Sequence, residues 1–145
     1  MTRLSSETVH ATTVCRGNRA VMLAGPSGSG KSDLALQLLD RGYKLVADDQ
    51  TLLSAYKDRL MASAPPSISG KMEVRGLGII ELPIREDVPV CLYVALGEPP
   101  DRLPENDERE TVFGIDIPRI RLLGSSPSAA IRIDMALDRL GLEEL

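Results

Sequence analysis

The sequence predicts an α/β fold, a mixed β-sheet with flanking helices, and three observations carry that expectation. Short runs of β-branched and aliphatic residues recur along the chain, and two segments repeat apolar side chains at helical spacing. A glycine-dense stretch, Gly25 to Gly30, joins an apolar run to the first of those helices. At 145 residues the chain has the length of one ordinary domain, so residues 1–145 are read as a single unit whose core needs no staples.

The elements follow in order. Thr8 to Cys15 is rich in β-branched residues, Gly17-Asn18 marks a turn, and Ala20 to Ala24 is a short apolar run, together a β-hairpin with a buried second strand. Gly25 to Gly30 ends that strand. Lys31 to Arg41 then sets Leu34, Ala35, Leu38 and Leu39 on one helical face, and Gly42 supplies the stop. Tyr43 to Ala47 reads as a second buried strand ending in Asp48-Asp49, and Gln50 to Tyr56 with Arg59 to Ala62 as two strands around a Lys57-Asp58 turn. Ala64 to Ser67 is a loop, Met72 to Leu82 a glycine-interrupted apolar segment leading into a buried strand, and Val88 to Leu96 the clearest later strand. Gly97 to Pro100 and the acidic run Pro104 to Glu110 are expected in an exposed loop, followed by short strands within Thr111 to Leu123 broken at Gly114 and Pro118. A terminal helix closes the chain, with Ser126 as N-cap, Pro127 at the first position, and Ala130, Ile133, Ala136, Leu137 and Leu140 on its core face.

Composition narrows the function. One Phe, three Tyr and no Trp provide no stacking platform for single-stranded bases, and a net charge of −4 argues against a broad phosphate-backbone footprint, so no nucleic-acid partner is expected. Cys15 and Cys91 lack CxxC spacing and, with His10 the sole histidine, do not suggest a His/Cys metal site. Both are read as reduced core residues. No signal-like segment and no run approaching ~20 apolar residues is present, which predicts a cytoplasmic chain with no membrane partner.

Gly25-Pro26-Ser27-Gly28-Ser29-Gly30-Lys31-Ser32 matches the phosphate-binding pattern G-x-x-x-x-G-K-[ST] in full. Glycines let successive backbone N–H groups wrap a phosphate, and the helix that follows adds positive potential at its N-terminus. In such a P-loop nucleotide-binding fold Lys31 would bridge the β- and γ-phosphates and the Ser32 hydroxyl would ligate Mg²⁺. Asp48 and Asp49 come one helix and one strand later, so a parallel arrangement returns both to the same sheet edge. One carboxylate could then hold the metal through water while the other accepts a proton from an attacking hydroxyl. Glu73-Val74-Arg75-Gly76-Leu77-Gly78-Ile79-Ile80 and His10 are ambiguous on their own, because a glycine-broken strand entry and a structural imidazole explain them equally well.

Taken together, His10, the Gly25 to Ser32 loop, Arg41 to Asp49 and Glu73 to Ile80 resemble the HPr kinase/phosphorylase catalytic domain, over about Thr8 to Ile120. The resemblance implies a fold akin to phosphoenolpyruvate carboxykinase and an enzyme that uses ATP and Mg²⁺ to phosphorylate a serine of the phosphocarrier protein HPr. It also implies phosphorolysis with inorganic phosphate, and a hexamer. Position by position, Asp49 resembles the family's proton acceptor and Asp48 its acidic neighbour near the metal. Ser32 and Glu73 match magnesium-associated positions, His10 and Lys31 match catalytic positions, and Arg102 resembles the catalytic arginine after the Val88 to Leu96 strand. Three features depart from the family's long forms, and the first makes the chain similar to the short forms of some proteobacteria. No additional N-terminal domain is expected, and the segment from Ile80 to Val88 is trimmed. Leu123-Gly124-Ser125-Ser126-Pro127-Ser128 stands where those forms have an arginine- and proline-bearing loop linked to dephosphorylation. Two rival readings share the loop: a kinase for a small metabolite closed beneath a Gly97 to Glu110 lid, and a nucleotide-sensing regulatory module.

Overall fold

A computed structural model describes residues 6–103 and 107–145. Pro104 to Asn106, part of the expected acidic loop, and the first five residues lie outside that description. The elements are β1 (Ser6–Val9), β2 (Ala11–Arg16), β3 (Arg19–Ala24), α1 (Lys31–Asp40), β4 (Lys44–Ala47), β5 (Thr51–Tyr56), β6 (Arg59–Ser63), β7 (Lys71–Val74), β8 (Gly78–Glu81), β9 (Val88–Leu96), β10 (Glu108–Val112), β11 (Ile115–Leu122) and α2 (Ala129–Leu140).

The main sheet runs β1-β5-β6-β9-β3-β2-β4, and β11, carrying β10, also joins β9. β9 is therefore the branch point. One of its edges pairs in parallel with β3, while β6 pairs with it at Val88–Pro89 and β11 at Tyr93–Leu96. Its nine residues read as a nearly continuous apolar run because both faces are covered. One face packs on α1 and α2 through Val21, Leu23, Leu34, Leu38, Leu92, Val94, Ile133 and Leu137. The other closes on β5, β6 and β11 through Met22, Val46, Leu53, Leu60, Val90 and Ile117. Such a mixed sheet with two helices is the α/β class expected.

Strand direction sets where function can sit. β2 is antiparallel to both β3 and β4, so β3 and β4 run the same way, and β9 and β11 run with them. Four co-directional strands thus end along one edge, at Gly25, Asp48, Gly97 and Leu123, and the opposed β2 begins there at Ala11. Ligand sites of open α/β sheets lie outside such strand ends.

Several expectations need correction. The first strand is broken at His10, which sits in a bend between β1 and β2 rather than inside a continuous strand. Glu108 to Glu110 belong to β10, not to a loop, because Arg119 on the paired strand binds Glu108 at 2.7 Å and Glu110 at 3.4 Å. Pro118 does not break β11, since pairing with β9 begins only at Arg119 and the missing N–H leaves no gap in that ladder. β7 and β8 form a separate two-stranded ribbon, and β8 is not buried: Leu77 at its turn and Ile79 are 74% and 70% exposed. Finally, α2 starts two residues later than expected. Ser126 closes a turn with Ala129, Ser128 is the N-cap, and Leu140 points to solvent while Ala130, Ile133 and Leu137 are buried. Cys15 and Cys91 are free and buried, as their spacing implied. Among the described residues no helix is long and apolar enough to cross a membrane.

Candidate active site

The loop from Gly25 to Gly30 leaves β3 and enters α1 at the common strand edge. Gly25, Gly28 and Gly30 all have positive φ, and Gly30 is the residue at the N-terminus of the helix. Gly25 is also held by proximity: a Cβ there would lie 2.6 Å from the Leu96 carbonyl oxygen at the end of β9. Glycine is thus required by conformation and by close approach at one position. Lys31, only 7% exposed, donates from Nζ to the carbonyl oxygens of Gly25 (2.8 Å) and Pro26 (3.1 Å). Its charge is therefore fixed at the loop rather than in solvent.

The second half of the site hangs from β2 and β4. Asp48, 8% exposed, accepts hydrogen bonds at Oδ1 from Ser32 Oγ (2.8 Å) and Thr12 Oγ1 (3.2 Å), and at Oδ2 from the Glu73 backbone N–H (3.3 Å). Asp49 adopts φ 68, a left-handed conformation uncommon for a residue other than glycine. Its Oδ1 lies 2.7 Å from His10 Nε2, an arrangement in which Nε2–H donates to the carboxylate. Because β2 starts where β4 ends, His10 and Asp49 meet although 39 residues separate them.

These groups share one cavity of about 580 Å³, lined by His10, Ser27, Gly28, Gly30, Lys31, Ser32, Asp48, Asp49, Glu73 and Arg75 among others. All but one of the expected side chains with acid, base or cationic chemistry thus converge. The exception is Arg102, exposed in a bend after β9 and absent from the cavity lining. Gly25, Pro26 and Ser29 are not in the cavity lining, and Ser29 Oγ is buried without a hydrogen-bond partner among the described residues. The sequence does not single out Thr12, and it marks Gly124 only within the Leu123 to Ser128 segment. Thr12 is an ordinary strand threonine until β2 and β4 pair, and Gly124 sits in a loop that only the tertiary fold brings under Ser29.

Do these residues suit a nucleotide and Mg²⁺? An orphaned hydroxyl in the loop, a buried ammonium and a glycine at position 25 with no room for a Cβ suit a phosphate-binding loop. A hydroxyl and a carboxylate in contact are hard oxygen donors of the kind Mg²⁺ takes, with its remaining positions left to water and phosphate oxygens. Among the described residues no three His, Cys, Asp or Glu side chains form a metal-binding group.

A mixed α/β domain with a curled sheet and a glycine loop at its carboxyl edge is the class this geometry defines. Comparison with known proteins gives the family. The model of the HPr serine kinase C-terminal domain matches residues 3–139, and the chain belongs to that family. It is 34% identical over 113 residues to HPr kinase/phosphorylase of Lacticaseibacillus casei, covering 69% of this chain and 35% of that protein. It is 32% identical over 133 residues to HPr kinase/phosphorylase of Clostridium acetobutylicum, covering 83% and 44%. Against these curated relatives the chain spans less than half their length. The solved structure of the Hpr(Ser) kinase/phosphatase from Coxiella burnetii superposes with a TM-score of 0.78 at 28% identity, covering 91% of this chain and 94% of that one.

Proposed function

We propose that this chain transfers the γ-phosphoryl group of ATP, with Mg²⁺, to a serine hydroxyl of the phosphocarrier protein HPr, and that it can return the group to inorganic phosphate. Family membership supports the choice of acceptor. The observation that carries the chemistry is the His10–Asp49 pair at 2.7 Å, lining the same cavity as Lys31 and the Ser32–Asp48 contact.

Asp49 is the base: its carboxylate takes the serine proton as the serine oxygen forms its bond to phosphorus, and the bond to the leaving oxygen breaks. His10 holds that carboxylate in one orientation through Nε2–H. Lys31 keeps a positive charge at the loop that offsets negative charge gathering on the transferring group. Ser32 and Asp48 would hold Mg²⁺, with Glu73 beside them, and the ion when bound supplies charge neutralisation at the phosphate oxygens. In the reverse direction Asp49 returns the proton to the serine oxygen as phosphate attacks. No step is assigned to Arg102, which lies outside the cavity.

The test is incubation of the purified chain with Mg-ATP and HPr, reading phosphoserine by intact mass and then adding excess phosphate. Serine phosphorylation that disappears in Lys31→Ala, and that falls roughly 10²-fold or more in Asp49→Asn, is the expected result. ATP binding without transfer to HPr would overturn the assignment of the acceptor.

A further inference from the structure

We infer that Thr12 is a positioning residue that sets both carboxylates of the site through one hydroxyl. The inference rests on the phosphoryl-transfer reading above. Thr12 is fully buried in β2, so its hydroxyl has no water to turn to. Its Oγ1 lies 3.0 Å from the backbone N–H of Asp49 and 3.2 Å from Oδ1 of Asp48. The amide can only donate, so the hydroxyl oxygen accepts there, and its single proton is left for the Asp48 carboxylate. One atom therefore ties the metal-side carboxylate to the peptide unit that presents the base.

The tie matters because Asp49 is a non-glycine residue at φ 68, a conformation that persists only where its surroundings hold it. Three contacts restrain this corner: the Thr12 hydroxyl on the Asp49 amide, the Asp48 carbonyl accepting from Gln50 N–H at 2.7 Å, and His10 on the Asp49 carboxylate. Of the three, only the Thr12 hydroxyl also grips the Asp48 carboxylate. Its neighbour Thr13 bonds Thr51 at 2.9 Å instead, so no adjacent hydroxyl duplicates the role. Thr12 touches neither reacting atom and acts through Asp48 and Asp49.

The experiment compares Thr12→Val, which keeps the shape, Thr12→Ala, which removes the hydroxyl without the second methyl, and Thr12→Ser, which keeps the hydroxyl. Amide hydrogen exchange at Asp49 is read on the nucleotide-free protein, alongside kcat and KM for ATP with HPr as acceptor. In the valine and alanine variants Asp49 N–H should exchange roughly tenfold faster or more. Their kcat should fall about 10–100-fold while KM for ATP stays within about threefold. Serine should restore both. Exchange and kcat at parent values in valine and alanine, or a serine variant as impaired as valine, overturns the inference. A parent chain that binds ATP but leaves HPr unmodified sinks the kinase reading alone, and the exchange comparison still decides whether the Thr12 hydroxyl holds Asp49.

Discussion

A single methyl group at position 124 would have nowhere to go: a Cβ there would sit 2.4 Å from the Ser29 carbonyl oxygen and 3.6 Å from Gly30 Cα. Both neighbours are backbone, so no side chain can swing aside and the glycine loop itself must shift. Overpacking of this kind costs about 1–3 kcal/mol. Expressed in the loop, that is roughly 5- to 150-fold in affinity. Gly124→Ala should therefore weaken ATP binding by about that factor in calorimetric titration, with little loss of secondary structure by circular dichroism. Unchanged affinity would mean the loop's position is not set by Gly124. The contrast with Gly25 shows what a sequence can disclose. Gly25 opens a pattern whose spacing alone states a chemical purpose, whereas Gly124 and Thr12 gain theirs from a partner far along the chain.

Among the elements, α2 is fastened to β2 and to the residue before β4 by a polar cluster around Asp134. Its carboxylate accepts from Tyr43 Oη (2.6 Å), Arg16 (2.7 Å) and Arg41 (3.3 Å), while Arg16 also reaches Asp138 at 2.5 Å. The Tyr43 hydroxyl, followed by the two guanidiniums and against the opposing effect of burial, holds the Asp134 carboxyl below the usual aspartate range. Burial first, then Asp134, pushes the Tyr43 hydroxyl well above the ordinary tyrosine range. The signs follow. A depressed carboxyl stabilises the fold above about pH 4 and loses that contribution as acid protonates it in the native state; a raised phenol stabilises below about pH 10 and loses it as pH rises. Denaturant unfolding followed across pH should show Asp134→Asn costing about 1 kcal/mol at neutral pH, after discount for partial exposure, and progressively less as the pH falls below about 4. Tyr43→Phe should flatten the alkaline limb. Parallel pH profiles for parent and variants would show that α2 docks by packing alone. This level was partly legible. The apolar faces of α1 and the core residues of α2 followed from helical spacing. The charges of Glu108 and Glu110 instead disguised β10 as a loop, because their neutralisation by Arg119 depends on a partner strand.

For the molecule as a whole, the two cores are not independent. β3 sends Val21 and Leu23 to the helix-covered face and Ala20 and Met22 to the opposite one, and β9 likewise divides Leu92, Val94 and Leu96 from Val88 and Val90. The same two strands, paired in parallel from Ala20 to Ala24, are thus the floor of one core and the roof of the other. Losing either core exposes the back of the sheet that the other core needs. Truncating Leu92 or Met22 to alanine should therefore cost about 2–5 kcal/mol in each case. Both variants should still unfold in one transition, with amides of β5–β6 and of α2 losing protection together. The active-site edge depends on this coupling. Gly25 leaves β3, Gly97 leaves β9 with its N–H on Leu122 carbonyl oxygen at 2.9 Å, and Gly124 follows β11, so the floor beneath the glycine loop is made of the ends of the two shared strands and of β11. A variant in either core that separates the transition into two, with β5–β6 opening while α2 stays protected, would show that the faces fold as separate units and that the site rests on the helix-covered one alone.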